Sequence, residues 1–356
     1  MRKSASWRLL GRAIAALGVL LSVLASVVVI IAWSTVPIES SVSPPANMAI
    51  DVSAAALRLG TAVRFRTISK IPGEPSDPKT FLDLRDFLER SYPAIHRTLH
   101  RQIIGDYSLV FRWDGSDSSL RPILLMGHLD VVPAQGKWAL PPFSGAVADG
   151  YVWRRGTLDN KVSVLGILEA VEHLLVAGFR PRRTIYLAFG HDEEIEGKNG
   201  ARQIVQHLKQ AGVRLEAVLD EGSPIAIGLM PGIKRPIALI GTAEKGYLTI
   251  ELIARTTGGH SSMPSSNSAI VVLGGALRRL SPESLPARLR PPMSQTLDHL
   301  APYFSFGRRL VVANRWLTEP LLLSQFTRIP ETNAMIRTTA AATIKLVGGL
   351  RLMTFG

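Results

Sequence analysis

Three short apolar runs in this chain each stop just ahead of residues that carry chemistry. Ile123-Leu124-Leu125-Met126 leads into Gly127-His128-Leu129-Asp130-Val131-Val132-Pro133. Thr184 to Phe189 precedes the pair Glu193-Glu194, and Ala217-Val218-Leu219 precedes Asp220-Glu221. A continuous apolar run of this kind reads as a buried parallel strand. In an open α/β sheet, ligands collect beyond the carboxyl ends of the strands. The pattern predicts one rim on which His128 and several carboxylates, Asp159 among them, converge. Imidazole with hard carboxylates suits a zinc-type hydrolytic metal site.

The chain contains no cysteine. That excludes a disulfide framework, a Cys-ligated structural zinc and a thiol nucleophile. At 356 residues, 46% of them hydrophobic, it can bury a large core and has room for two domains. The formal charge of +13 comes mostly from scattered Arg, as in Arg180-Pro181-Arg182-Arg183. A solvated basic surface explains it first and attraction to an anionic membrane second. Nucleic-acid binding comes last, because no recognition motif accompanies the charge.

Ala13 to Trp33 holds no charged residue and only Ser22 and Ser26 as polar ones. A helix of that length spans a bilayer core. Arg2, Lys3, Arg8 and Arg12 precede it, and no basic residue follows until Arg58. The positive-inside rule then keeps residues 1–12 in the cytoplasm and sends everything after Trp33 outside, behind an uncleaved signal anchor at 13–33. A cleaved signal peptide is the competitor, although its apolar region is normally shorter and Ile31-Ala32-Trp33-Ser34 is a poor cleavage site. Residues 34–50, rich in Pro and Ser, read as a linker.

Helices are predicted over Asp51 to Phe65, Lys79 to Ser91, Asn160 to Ala177 and Ala201 to Ala211. Alternating with the strands, they indicate βαβ units: an α/β fold with a mostly parallel sheet flanked by helices, over residues 51–240. The pattern changes near Gly241. Tyr247 to Arg255 reads as a long strand and Ser268 to Leu280 as a helix, so 241–343 is predicted to be a second, inserted α+β domain.

With these motifs in hand, the chain resembles the zinc-dependent M20 metallopeptidase family, most closely its carboxypeptidase S and N-acyl-amino-acid hydrolase branch. The segments that carry the resemblance are 127–133, Arg155-Gly156-Thr157-Leu158-Asp159-Asn160-Lys161, Gly190-His191-Asp192-Glu193-Glu194-Ile195-Glu196-Gly197, Leu219-Asp220-Glu221-Gly222 and Gly259-His260-Ser261-Ser262-Met263-Pro264. It runs from about residue 60 to 343.

The resemblance implies roles. His128 would bind one zinc, with Asp130 holding its ring from behind. Asp159 would bridge two zincs, Glu194 would bind the second and Asp220 the first, with Glu221 as the alternative register. Glu193 would be the general base acting on a zinc-activated water. Residues 241–343 would form a lid that dimerises, and His260 would reach the partner's active site to stabilise the oxyanion. The substrate would be a peptide or an N-acyl amino acid; cobalt or manganese in place of zinc stays open.

Taken singly, these residues have plainer readings. A His-x-Asp is commonly a surface or capping pair, and Asp159 could be a helix N-cap. His191 has no family role and reads as structural. His96, His100, His173, His207 and His299 lack ligand context. The chain also departs from the family. Asn160 stands where relatives usually carry a second Asp, and Arg154 where Gly is common. The family-like text stops near Thr343, and 344–356 does not resemble it, which predicts a shortened reading frame without the last zinc-ligating His. Three readings follow: an M20-type amide hydrolase, an inactive fragment or pseudoenzyme of the same fold that binds metal or dimerises, and an unrelated membrane-tethered binding module.

Overall fold

In the computed structural model, residues 2–37, 50–69, 77–222, 225–228, 230, 232–255, 262, 266–280, 284–342 and 354–355 are described. The chain divides into one unit of residues 44–222 and another made of 1–43 with 223–356.

In the first unit, helix α2 covers Val52–Arg64, after helix α1 at Arg2–Ser34. Asp51 caps α2 by accepting from Ala54 N at 3.0 Å, satisfying one of the free N–H groups of the first turn. Helices α3 (Pro78–Ser91) and α4 (Pro93–Thr98) each begin on proline, whose missing N–H costs nothing at that position. Strands β1 (His100–Ile104) and β2 (Ser108–Trp113) follow, then β3 (Ile123–His128) and a small hairpin of β4 (Ala146–Ala148) with β5 (Tyr151–Trp153). Helix α5 (Val162–Val176), strand β6 (Ile185–Gly190), helix α6 (Ala201–Gln210) and strand β7 (Ala217–Leu219) complete the unit.

The five-stranded sheet has the order β1-β2-β6-β3-β7. β3 pairs parallel with both β6 and β7, through α5 and α6 as crossovers. The sheet is nevertheless mixed rather than mostly parallel, since β1–β2 and β2–β6 are antiparallel. For the β1–β2 pair the reason is local. Gly105, at φ +61°, starts a turn of three residues between β1 and β2, and so short a connection can only join antiparallel strands.

Side chains alternate across a strand, and the two cores follow that period. Leu109 and Phe111 of β2 and Leu187 and Phe189 of β6 pack with Phe81, Leu84, Leu88, Tyr92 and Leu168 of the helices on one face. Val110, Leu124 and Ala188 face the other way, onto Ile204 and Leu208 of α6. Each fully buried Leu or Phe contributes roughly 1.5–3 kcal/mol by transfer from water, whereas an exposed ion pair contributes about 0–1 kcal/mol. Packing therefore holds β3 and β6 in place.

In the second unit, α1 contains an apolar stretch, Leu10–Ser34, long enough to cross a membrane. The hydroxyls of Ser22 and Ser26 donate to Gly18 O and Ser22 O, both at 2.9 Å, so neither needs water. Helix α7 (Ala269–Arg279) forms where a helix was expected, with Ser268 accepting from Val271 N at 3.4 Å. Helices α8 (Met293–Leu300), α9 (Phe306–Ala313), α10 (Arg315–Phe326) and α11 (Pro330–Ile336) follow, and Leu297, Leu300, Val312, Leu322 and Ile336 share a core. Asn314 Nδ2 donates to Val28 O at 3.0 Å, and Trp33 meets Phe306 edge-on at 6.2 Å.

The strand expected at Tyr247–Arg255 does not form. Alternating polarity makes a strand only where a neighbour takes up the backbone groups, and no ladder reaches this segment among the described residues. Elsewhere among its described residues the unit is mainly helical, with strands of two residues such as Ile225–Ala226 paired to Ile237–Ala238. The expected composition boundary lay at 240/241, while the contact boundary lies at 222/223.

Candidate metal centre

His128 ends β3 directly opposite Gly190, the end of β6. In a parallel pair both following loops leave from the same rim, so Asp130 and Glu193-Glu194 become neighbours. His128 is 2% exposed and Asp130 fully buried. The imidazole Nδ1 lies 3.0 Å from Asp130 O and 3.3 Å from Asp130 Oδ1, which assigns the proton to that nitrogen and leaves Nε2 for the rim. Nε2 is 3.0 Å from Asp159 Oδ1, 3.4 Å from Glu221 Oε2 and 3.9 Å from Glu193 Oε2. Two donor groups result, His128 with Asp159 and Glu221, and His128 with Glu193 and Glu194, each with its donor atoms within 4.8 Å of one another.

Asp220 belongs to neither group; its Oδ1 accepts from Glu221 N at 2.9 Å. The structure thus brings His128, Asp159, Glu193, Glu194 and Glu221 together, with Asp130 behind them. His260 lies outside the described residues. His191 stands apart from the cluster: it shares a 2.6 Å hydrogen bond with Ser108 Oγ and packs edge-on against Tyr107 and Phe81. His96, His100, His173, His207 and His299 are in neither donor group.

Charge follows geometry. Burial opposes a charged His128 ring, but the carboxylates of Asp130, Glu221 and Glu193 outweigh it and hold its pKa up at about 10. Burial would also raise Asp130; its bonds to His128 and Ser69 win and keep it below the usual carboxylate range. Burial, with Asp159 nearby, pushes Glu194 up to about 7. Glu193 is raised as well, by burial and by Glu221, Asp130 and Asp159, against the pull of His128. Crowded carboxylates that resist ionising together call for a cation. A neutral imidazole nitrogen with carboxylate oxygens on one side is a donor set that fits a divalent ion of the zinc type.

Three residues that sequence reasoning did not name as ligand or base support this cluster. Asn160, 1% exposed, donates its amide to Glu221 Oε2. Its Oδ1 faces Gly127, where a Cβ would lie 3.2 Å away. Lys161, 1% exposed, donates to Phe65 O at 2.7 Å and Ala62 O at 3.0 Å, tying the Asp159 loop to the end of α2. Burial brings the Lys161 pKa down to about 7. Ser69 donates to Asp130 Oδ2. For Asn160 and Lys161 the signal was adjacency to Asp159; Ser69 had none, since residues 66–69 show no period. Arg154 adopts φ 130°, a conformation that favours glycine, which accounts for the Gly common there.

The pattern that defines peptidase family M20/M25/M40 matches residues 124–343, more than half of the chain. This chain belongs to that family. The M20 relatives include an N-fatty-acyl-amino acid synthase/hydrolase PM20D1 of Xenopus tropicalis, 40% identical over 291 residues, 81% of this chain and 57% of the relative. A probable carboxypeptidase S-like 2 of Dictyostelium discoideum is 44% identical over 295 residues, again 81% of this chain and 57% of the relative. The chain thus spans a little over half the length of these relatives. Among solved structures, an M20 family metallo-carboxypeptidase, Sso-CP2 of Sulfolobus solfataricus, matches with TM-score 0.54 at 17% identity, over 84% of this chain and 70% of that one. At that identity the match shows the shared M20 fold, and it agrees with the mixed sheet flanked by helices.

Proposed function

We propose that the chain is a metal-dependent hydrolase of peptide or N-acyl amino-acid amide bonds, held at a membrane by Ala13 to Trp33 with residues 34–356 outside the cytoplasm. The observation that carries the hydrolase reading is the His128 ring, with Nδ1 turned to Asp130 and Nε2 turned to Asp159 and Glu221. His128, Asp159 and Glu221 would hold one zinc, Glu221 being favoured over Asp220 by its place in the cluster. Asp159 and Glu194 would hold a second. Bound zinc supplies Lewis acidity toward the amide carbonyl and makes a water acidic enough to lose a proton near neutral pH.

The chain's own residues do the rest. Glu193, half-exposed beside the cluster, would take the water's proton on its carboxylate and pass it to the leaving amine. Its raised pKa brings it toward the range in which a carboxylate both accepts and returns a proton. Asp130 would keep the His128 ring aimed. His260, by the family resemblance, would act across a dimer formed through residues 241–343.

The test compares Glu193→Gln, His128→Ala and His173→Ala in the full chain. Glu193→Gln should abolish amidase turnover on N-acyl amino acids and dipeptides while keeping zinc. His128→Ala should lose zinc by elemental analysis, and His173→Ala should lose neither. Zinc bound by the unsubstituted chain without turnover would favour the second reading, an inactive member of the fold. That reading draws on the second ion's meagre donor set, two carboxylates from the motifs described.

A further inference from the structure

Thr67-Ile68-Ser69 runs alongside the residues that follow β3. Val131 N donates to Thr67 O at 2.9 Å, and Ser69 N donates to Val131 O at 3.0 Å. Thr67 Oγ1 donates to Leu129 O at 2.6 Å, and Ile68 bridges Val131 in parallel. These bonds bring the Ser69 side chain to Asp130. Ser69 is 9% exposed and Asp130 fully buried, so water does not compete for the carboxylate.

The Asp130 carboxylate is held from three directions. Oδ2 accepts the Ser69 hydroxyl and Glu194 N, the latter at 3.1 Å. Oδ1 accepts Glu193 N at 3.1 Å and lies 3.3 Å from His128 Nδ1. Two carboxylate oxygens offer about four lone-pair sites, and here each oxygen faces two donors. The imidazole comes from β3 and the two amides from the loop after β6. Ser69 supplies the remaining contact, from a third segment.

We propose that Ser69 is a positioning residue of the metal site, whose hydroxyl fixes the Asp130 carboxylate in the orientation that holds the His128 imidazole and the Glu193-Glu194 backbone at once. This rests on the metallohydrolase reading above. Without the hydroxyl, Oδ2 keeps only Glu194 N, and a buried anion short of a donor shifts toward its remaining partners. The ring and the acid pair then lose their common reference, so ligand aim degrades although no ligand has been removed.

The experiment titrates zinc, and cobalt in parallel, into the metal-free full chain by calorimetry, with its thermal unfolding recorded alongside. Ser69→Ala should bind about tenfold more weakly, as loss of an outer partner of a ligand typically does. Ser69→Thr, which keeps the hydroxyl, should restore the affinity. Ser69→Ala added to Asp130→Asn should cost little more than Asp130→Asn alone, since the two would act through one carboxylate. The isosteric pair Ser69→Thr and Ser69→Val gives the same comparison if the alanine variant does not fold. Unchanged affinity in the variants that lack the hydroxyl, no rescue by Thr, or strict additivity with Asp130→Asn would overturn the proposal and leave the metal reading standing. Failure of the unsubstituted chain to bind either metal would overturn the metal reading, and this inference with it.

Discussion

The side-chain amide of Asn160 donates to Glu221 Oε2, joining the residue after Asp159 to the loop that leaves β7. The bond supports Glu221 over its neighbour as the proposed ligand, because Asp220 instead accepts from the N–H of Glu221. Glu221→Gln should therefore weaken zinc binding by at least about tenfold, taking the cost of losing an outer partner as the floor. Asp220→Asn should change it far less. Equal losses in the two variants, measured by competition with a chromophoric chelator, would contradict the assignment.

Protons compete with metal at His128. Its pKa is about 10 in the folded chain against an ordinary 6.5, so a bound metal must displace a proton through the neutral range. Zinc affinity should rise about tenfold per pH unit across that window. The metal-free fold should move oppositely. A raised imidazole pKa stabilises fully below the unfolded value and loses that contribution as pH climbs toward about 10. Calorimetry in buffers of different ionisation heat should record about one proton released per zinc from this ring at pH 7; none released would refute the picture.

Lys161→Met keeps the buried stem and removes the donor from Phe65 O and Ala62 O. Both carbonyls keep a backbone donor, Phe65 N to Ala62 O at 3.3 Å and Thr67 N to Phe65 O at 3.0 Å, so losing the two ammonium bonds should cost roughly 1–3 kcal/mol in all, read as a lower urea midpoint at unchanged slope. A midpoint unmoved by the substitution would mean that other donors replace the ammonium.

A reporter fused after Gly356 should be active outside the cytoplasm and silent inside, given the basic residues ahead of Ala13 to Trp33. A reporter active only in the cytoplasm would reverse the orientation.

Much of the fold was legible because its signals are local. Leu165, Leu168 and Val171 announce α5 at helical spacing, and Ile123 to Met126 announces β3. β1 was not legible: His100–Ile104 is largely exposed and carries no clear alternation. Tyr247–Arg255 misled for the opposite reason, since alternation is visible in sequence and a pairing partner is not. At the metal centre, His128 and the acid pairs stood out by their place behind apolar runs. The choice between Asp220 and Glu221 did not, because it turns on where β7 ends and on an amide donated by Asn160. Ser69 was invisible, as its contact with Asp130 spans sixty-one positions of chain.

The strand order has one more consequence. β3 lies between β6 and β7 and is paired along its whole length to β6, whereas among the described residues β7 is an exposed edge of three residues. Edges open long before central strands do. If His128 and Glu221 hold one ion, as proposed, the two donors would differ in permanence: the imidazole would stay in place with the central strand, while Glu221 would let go when the edge frays. Metal escape would then begin at that carboxylate, and the residence time of the ion would report the breathing of β7.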